Sequence, residues 1–283
     1  MKQSLKYLLA LSTVLGCALI AGAQDNQEKS VELKGTTIFG SKAEVMVTPG
    51  SAVYLDSESI SKFNYTDINH ILQKVPGVYV RQEDGFGLFP NISLRGVDTS
   101  RSAKVTLMED GVPSAPAIYS APSAYFSPTA GRMSGLEVLK GSSQIKYGPH
   151  TTGGAINYIS TLIPNEETFY SKMTFGTNND FKSHNYFGDT VETQNGKFGF
   201  LIEGYRHQTD GFKELDSATT SNKDTGFENI NGMLKLRYET TEGPYERFDY
   251  KIGYTNINAN ETYVGLSEAD FKSNPYDRYQ ASQ

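Results

Sequence analysis

Few residue types capable of covalent chemistry are present, and they are scattered. His70, His150, His184 and His207 show no metal-ligand spacing. Cys17 is the single cysteine, and there is no G-x-S-x-G elbow to present a nucleophile. The carboxylate pairs Glu109-Asp110 and Glu166-Glu167 fall at turns, where solvation is expected. The densest run of special residues is Arg132–Ser160, R-M-S-G-L-E-V-L-K-G-S-S-Q-I-K-Y-G-P-H-T-T-G-G-A-I-N-Y-I-S. Glycines this dense can cradle a phosphate. The spacing G-x-x-x-x-G-K-[ST] is absent, however, and no helix start follows Gly154. The glycines therefore read as tight turns joining two strands, Leu136–Lys140 and Ala155–Ser160. This inventory predicts no enzyme.

The elements that hold this stretch are written around it. The chain has 283 residues and a net charge of -6, with 18 Tyr, 15 Phe, 27 Gly and no Trp. That composition is β-rich, and it lacks the basic excess that nucleic-acid binding requires. Lys2 and Lys6 precede an apolar Leu8–Ile20, and Ala21-Gly22-Ala23 offers a small-x-small cleavage site, so residues 1–23 read as a secretory signal peptide. Val14-Leu15-Gly16-Cys17 is a looser, lipobox-like alternative. Cleavage after Ala23 removes the cysteine and two lysines, taking the net charge from -6 to -8. No later apolar run reaches the ~18 residues of a spanning helix, so any membrane crossing must use strands.

After a polar leader, Val31–Leu33 and Thr36–Phe39 give two bursts of β-formers. They read as an edge strand or as a strand added to another protein's sheet. Ile68, Ile71, Leu72 and Val75 recur at helical spacing, with Thr66 or Asp67 as cap, Pro76-Gly77 as stop and His70 half-exposed. Strands follow at Val78–Val80, Asn91–Leu94 and Lys104–Glu109, the last closed by Asp110-Gly111. Beyond Glu166, alternation is at its cleanest, around Phe169–Phe175, Phe181–Val191, Lys197–Glu203, Met233–Glu239 and Phe248–Thr255. Apolar-out and polar-in alternation is the signature of transmembrane β-strands, although soluble sandwiches also alternate. Short turns at Asn195-Gly196 and Glu242–Tyr245, set against a long polar Thr209–Thr225, match the barrel habit of short periplasmic turns and long external loops.

V-P-G-V-Y-V, I-S-L-R-G, V-T-L-M-E-D-G-V-P and L-E-V-L-K-G…Y-G…G-G-A-I-N-Y-I-S, in that order, resemble the plug of TonB-dependent outer-membrane receptors. Ala121–Phe126 and its neighbours look most like the ferric-dicitrate branch. The resemblance implies an α+β plug domain followed by the first antiparallel strands of a transmembrane β-barrel. The division expected is a signal peptide at 1–23, a tether at 24–50, a plug at 51–162 and barrel strands from 163 to 283. Five strands cannot close a membrane barrel, which takes at least ~8, so the chain reads as the N-terminal part of a longer receptor.

Particular residues acquire roles from the same resemblance. A TonB-box-like segment within 31–39, with Val31, Glu32, Leu33, Thr36, Thr37 and Ile38, would engage a TonB-type energy-coupling partner. Arg95 and Lys140 would pair with barrel carboxylates beyond residue 283 and lock the plug, although a lysine cannot fork onto a carboxylate as an arginine does. Arg81, Arg101, Tyr119 and Tyr125 lie on connections expected at the outer face and would bind an anionic ferric chelate. Glu83 and Asp84, on the same connections, would repel it. The chelate is cargo, and neither a cofactor nor a resident metal is implied. The partners implied are the coupling protein, a siderophore or citrate-like chelate and outer-membrane lipid, in the outer membrane of a Gram-negative bacterium. Other readings keep the family with cobalamin, another metal chelate or a glycan as cargo, or make the chain a soluble secreted β-rich binding module.

Overall fold

The computed structural model describes residues 42–47, 50–62, 64–114, 126–141, 152–216, 225–242, 245–260 and 265–278. The expected signal peptide, the Val31–Phe39 segment, Tyr119 and Tyr125 lie outside these residues. Everything described belongs to the unit Leu33–Gln283.

The first half is a mixed sheet with small helices. After α1 (Lys42–Val47), strand β1 (Ser51–Leu55) leads into α2 (Ser57–Ser61) and α3 (Ile68–Leu72). Asp56 caps α2, and Asp67 caps α3 by accepting from the Asn69 N–H at 2.7 Å. Strands β2 (Val78–Arg81) and β3 (Asn91–Leu94) form a two-stranded ribbon. The main sheet contains β4 (Val105–Glu109), β5 (Val112–Pro113), β6 (Met133–Lys140) and β7 (Gly154–Ser160), in the order β1-β6-β7-β4-β5. Among the described strands, only β4 and β7 run parallel. Ile68, Ile71, Leu72 and Val75, read from their helical spacing, pack with Leu107, Leu136, Val138, Ile156 and Tyr158 in one core. Each such burial contributes roughly 1.5–3 kcal/mol.

The alternation seen in Leu136–Lys140 implied one buried face. In fact six consecutive residues of β6, Gly135–Lys140, are buried, as is all of β7. Ile68, Ile71 and Leu72 cover one side of the sheet and Val45 of α1 packs on Met108, Leu139 and Ala155 of the other, so both faces are covered.

The second half is one antiparallel sheet, ordered β12-β11-β10-β9-β8. Its strands are β8 (Thr168–Phe175), β9 (Phe181–Thr193), β10 (Gly196–Thr209), β11 (Phe227–Thr240) and β12 (Arg247–Ala259). Phe169, Met173, Phe187, Phe198, Ile202, Tyr238, Phe248, Ile252 and Tyr254 stand exposed on the outer face. The inner face, with Leu201, Glu203, Tyr205, Asn229, Asn231, Met233 and Lys235, is buried. This is the apolar-out, polar-in wall of a membrane barrel, with β8 and β12 as its edges.

All five expected strands are present, and most run longer than their alternation. The outward positions towards the end of β10 hold Gly204 and Arg206, and their partners across the ladder are Gly232 and Ile230. The hydrophobic period fades there while the hydrogen-bonded ladder continues. The hairpin turn also sits one residue earlier than expected, at Gln194-Asn195, with Thr193 paired to Gly196. Gly196 is needed for close packing, because a Cβ there would lie 2.3 Å from the Glu239 carbonyl oxygen. α4 (Glu268–Ser273), capped by Ser267, follows the last strand.

Candidate functional site

Three sequence motifs converge in the middle of the sheet. Glu137 on β6 lies directly opposite Asn157 on β7, and the Asn157 amide donates to Glu137 Oε2 at 2.8 Å. Asn157 Oδ1 in turn accepts from the Gly111 N–H at 2.8 Å. The L-E-V-L-K-G strand, the G-A-I-N-Y strand and the D-G-V-P turn are therefore joined through one amide. Asp110 and Gly111 adopt φ of 52° and 80°, the left-handed pair that a two-residue hairpin needs.

That turn is not solvated, contrary to the expectation for Glu109-Asp110. Asp110 is buried and accepts from the Ser160 N–H at 2.9 Å and the Ser160 hydroxyl at 2.5 Å. Lys251 of β12 reaches Asp110 Oδ2 at 2.7 Å and Glu109 Oε1 at 2.6 Å, and Lys235 of β11 lies 3.3 Å from Asp110. Burial opposes ionisation of Asp110. The charges of Lys235 and Lys251, with the hydrogen bonds from Lys251 and Ser160, outweigh it and hold the carboxyl well below its ordinary range.

Arg132 extends the contact. It donates to both oxygens of Glu109, at 2.8 and 2.9 Å, and lies 3.8 Å from Glu203 of β10. Thr161 donates to Glu203, and His184 Nε2 lies 2.7 Å from it. Asn231 Oδ1 accepts from Thr129 at 3.0 Å and Thr255 at 3.0 Å. The Tyr205 hydroxyl sits 2.2 Å from where a side chain on Gly131 would begin, so only glycine lets the wall come this close. Three carboxylates, Glu109, Asp110 and Glu203, thus face three cations, Arg132, Lys235 and Lys251.

None of these six was singled out from the sequence as part of a site. One signal was present: the turn at Glu242–Tyr245 sets Lys235 directly opposite Lys251. Like charges across a ladder are unfavourable unless an anion lies between them.

Two of the connections expected at the outer face, those carrying Arg81 and Arg101, meet through Glu83. Arg81 Nη2 donates to Glu83 Oε1 at 2.8 Å, and Arg101 Nη1 donates to Glu83 Oε2 at 2.9 Å. Asp84 is buried and accepts from the N–H groups of Phe86, Gly87 and Phe89 at 2.8, 2.6 and 3.0 Å. The two carboxylates are thereby engaged within the loops. Phe86 packs on Phe212 and Phe227, and Lys213 donates to the Asp84 carbonyl at 3.2 Å. The loop is therefore seated against the long β10–β11 connection.

Arg95 and Lys140 meet at another place. Arg95 and Gly96 have φ of 59° and 79°, and the Arg95 guanidinium lies against Gly141, 3.0 Å from where a side chain there would begin. Lys140 Nζ donates to the Pro76 carbonyl at 2.6 Å. Burial, and then the charge of Arg95, lower the Lys140 pKa. Among the described residues neither cation has a carboxylate partner.

A helix-flanked mixed sheet seated on the inner face of an open antiparallel wall defines a plugged β-barrel. The family model described as "TonB-dependent Receptor Plug Domain" matches residues 44–155, and this part of the chain is similar to the plug of TonB-dependent receptors. A vitamin B12 transporter of Vibrio vulnificus (strain CMCP6) is 26% identical over 234 residues, 76% of this chain and 37% of the transporter. The unliganded ferric citrate transporter FecA aligns with a TM-score of 0.64 at 21% identity, over 84% of this chain and 36% of that one. The ferric yersiniabactin uptake receptor FyuA of Yersinia pestis gives 0.65 at 20% identity, over 81% and 34%. The chain spans a little over a third of the length of these relatives.

Proposed function

We propose that this chain is the plug and first wall strands of an outer-membrane receptor that imports an anionic ferric chelate. The observation that carries the reading is the Arg81–Glu83–Arg101 cluster, which sets two guanidinium groups on the loops seated against the long β10–β11 connection. Guanidinium forks suit carboxylate and catecholate oxygens. Binding requires no chemistry, because an energised partner drives release into the periplasm. Tyr119 and Tyr125 are proposed to contribute hydroxyl donors to the same face. Cobalamin is the second reading, favoured by the Vibrio transporter's likeness. Uptake of labelled ferric citrate, ferric siderophores and cobalamin by a deletion strain tests the assignment. Iron-chelate uptake equal to that of the parent strain for every chelate would remove it.

The segment Val31–Phe39 is proposed to add itself as a strand to the TonB-type partner. Its deletion should abolish uptake and leave surface binding of the cargo unchanged. Loss of both would make the segment structural. Arg95 and Lys140 are proposed to hold the plug through wall carboxylates, which would offset the unfavourable proximity of the two cations. Arg95→Ala with Lys140→Ala should make cells leaky to a bulky antibiotic normally excluded by the outer membrane. Unchanged exclusion in cells with normal receptor levels would remove the lock.

A further inference from the structure

The two arginines of the outer loops share one carboxylate, and its two oxygens are divided between them: Oε1 to Arg81 at 2.8 Å and Oε2 to Arg101 at 2.9 Å. Neither guanidinium owns the pair. The backbone around them is fixed without Glu83. Asp84 ties down the following residues through three N–H groups. The Arg101 N–H donates to Asn91 Oδ1 at 2.8 Å, and the Ser102 hydroxyl bridges Pro90 and Ile92 at 2.9 Å on each side. Arg101 is held at φ 52°, an uncommon conformation for a residue with a side chain, and this aims it across the gap at Glu83. The Glu83 side chain alone can leave the cluster without disturbing these ties.

We infer that Glu83 is an internal competitor that occupies the two-arginine site until an incoming ligand supplies carboxylate or comparably anionic oxygens in its place. The inference rests on the reading of this face as an anion site and deepens it. A ligand with one weak acceptor gains nothing by exchanging with a carboxylate already in position. A ligand presenting several anionic oxygens can engage both guanidiniums together, so Glu83 selects for polyanions and raises the threshold for binding. A neutral chelate makes no exchange and is insensitive to Glu83.

The test compares the complete receptor with its Glu83→Gln and Glu83→Ala variants. The probes are ferric dicitrate, iron-free citrate and a neutral ferric trihydroxamate, with binding followed by titration calorimetry. Both variants should bind the two anions about tenfold tighter, ~1.4 kcal/mol, with the trihydroxamate unchanged. Adding Arg101→Ala to Glu83→Gln should erase the gain. Equal anion binding by wild type and both variants, including none by any, overturns the inference. So does weaker binding of all three probes, which would mark Glu83 as a loop support. A gain for citrate where neither wild type nor variant binds or imports an iron chelate leaves Glu83 as competitor and removes the ferric cargo.

Discussion

Asp110→Asn is expected to loosen the plug from its wall by about 3–5 kcal/mol, the cost of breaking a buried ion pair from one side. The substitution conserves size, so the effect is one of charge. It leaves Lys235, buried at 6% exposure, facing Lys251, while the remaining carboxylate, Glu109, pairs with Lys251 at 2.6 Å. The measurement is protease sensitivity and urea unfolding of the receptor in isolated outer membranes. A midpoint within ~0.5 kcal/mol of wild type would falsify the assignment of these charges as a joint. Adding Lys235→Met should recover most of the loss, because it removes the buried cation that Asp110→Asn leaves uncompensated.

The pH dependence has a definite sign. The Asp110 carboxyl titrates lower in the folded protein than in the unfolded chain. Its contribution is therefore complete above the unfolded value, about 3.9, and is lost as the pH falls below it toward the folded value. Plug seating should weaken in acid below about pH 4, and Asp110→Asn should flatten that dependence.

Gly154→Ala should cost about 3 kcal/mol or more and leave a plug that does not seat. Gly154 opens β7 with φ 155°, a conformation that L side chains rarely adopt. A Cβ there would lie 2.1 Å from Leu94 Cδ1 and 2.5 Å from the Leu139 carbonyl oxygen. The leucine could shift, but the carbonyl belongs to the neighbouring strand, so the ladder itself must give way. Overpacking and backbone strain each contribute roughly 1–3 kcal/mol. Gly204→Ala is the control, because nothing lies within 4 Å of its Cβ position. Thermal unfolding in detergent separates the two. Equal midpoints would mean that the glycine at 154 is not required by packing.

The glycines of Arg132–Ser160 show how far a sequence can be read. Among the described ones, the strand break read at Gly141 is present, with φ 97°, whereas Gly153 and Gly154, read as turn residues, are required by close approach to the Lys104 and Leu139 carbonyls. Helix α3 was legible because four apolar residues at helical spacing all point to one core. The five wall strands were legible where their outer faces are apolar and illegible where those faces become polar, since periodicity reports burial rather than hydrogen bonding.

The ion joint was not legible, because Glu109, Asp110, Arg132, Glu203, Lys235 and Lys251 are separated by up to 142 positions and meet only when the wall wraps the plug. The same holds for Glu83, expected to repel an anion yet bound to both arginines. The sequence by itself determined the class of element at each place, because propensity and period are local properties. Only the tertiary structure decided which charges face one another, because electrostatic pairing depends on distance in space and on the water excluded around it.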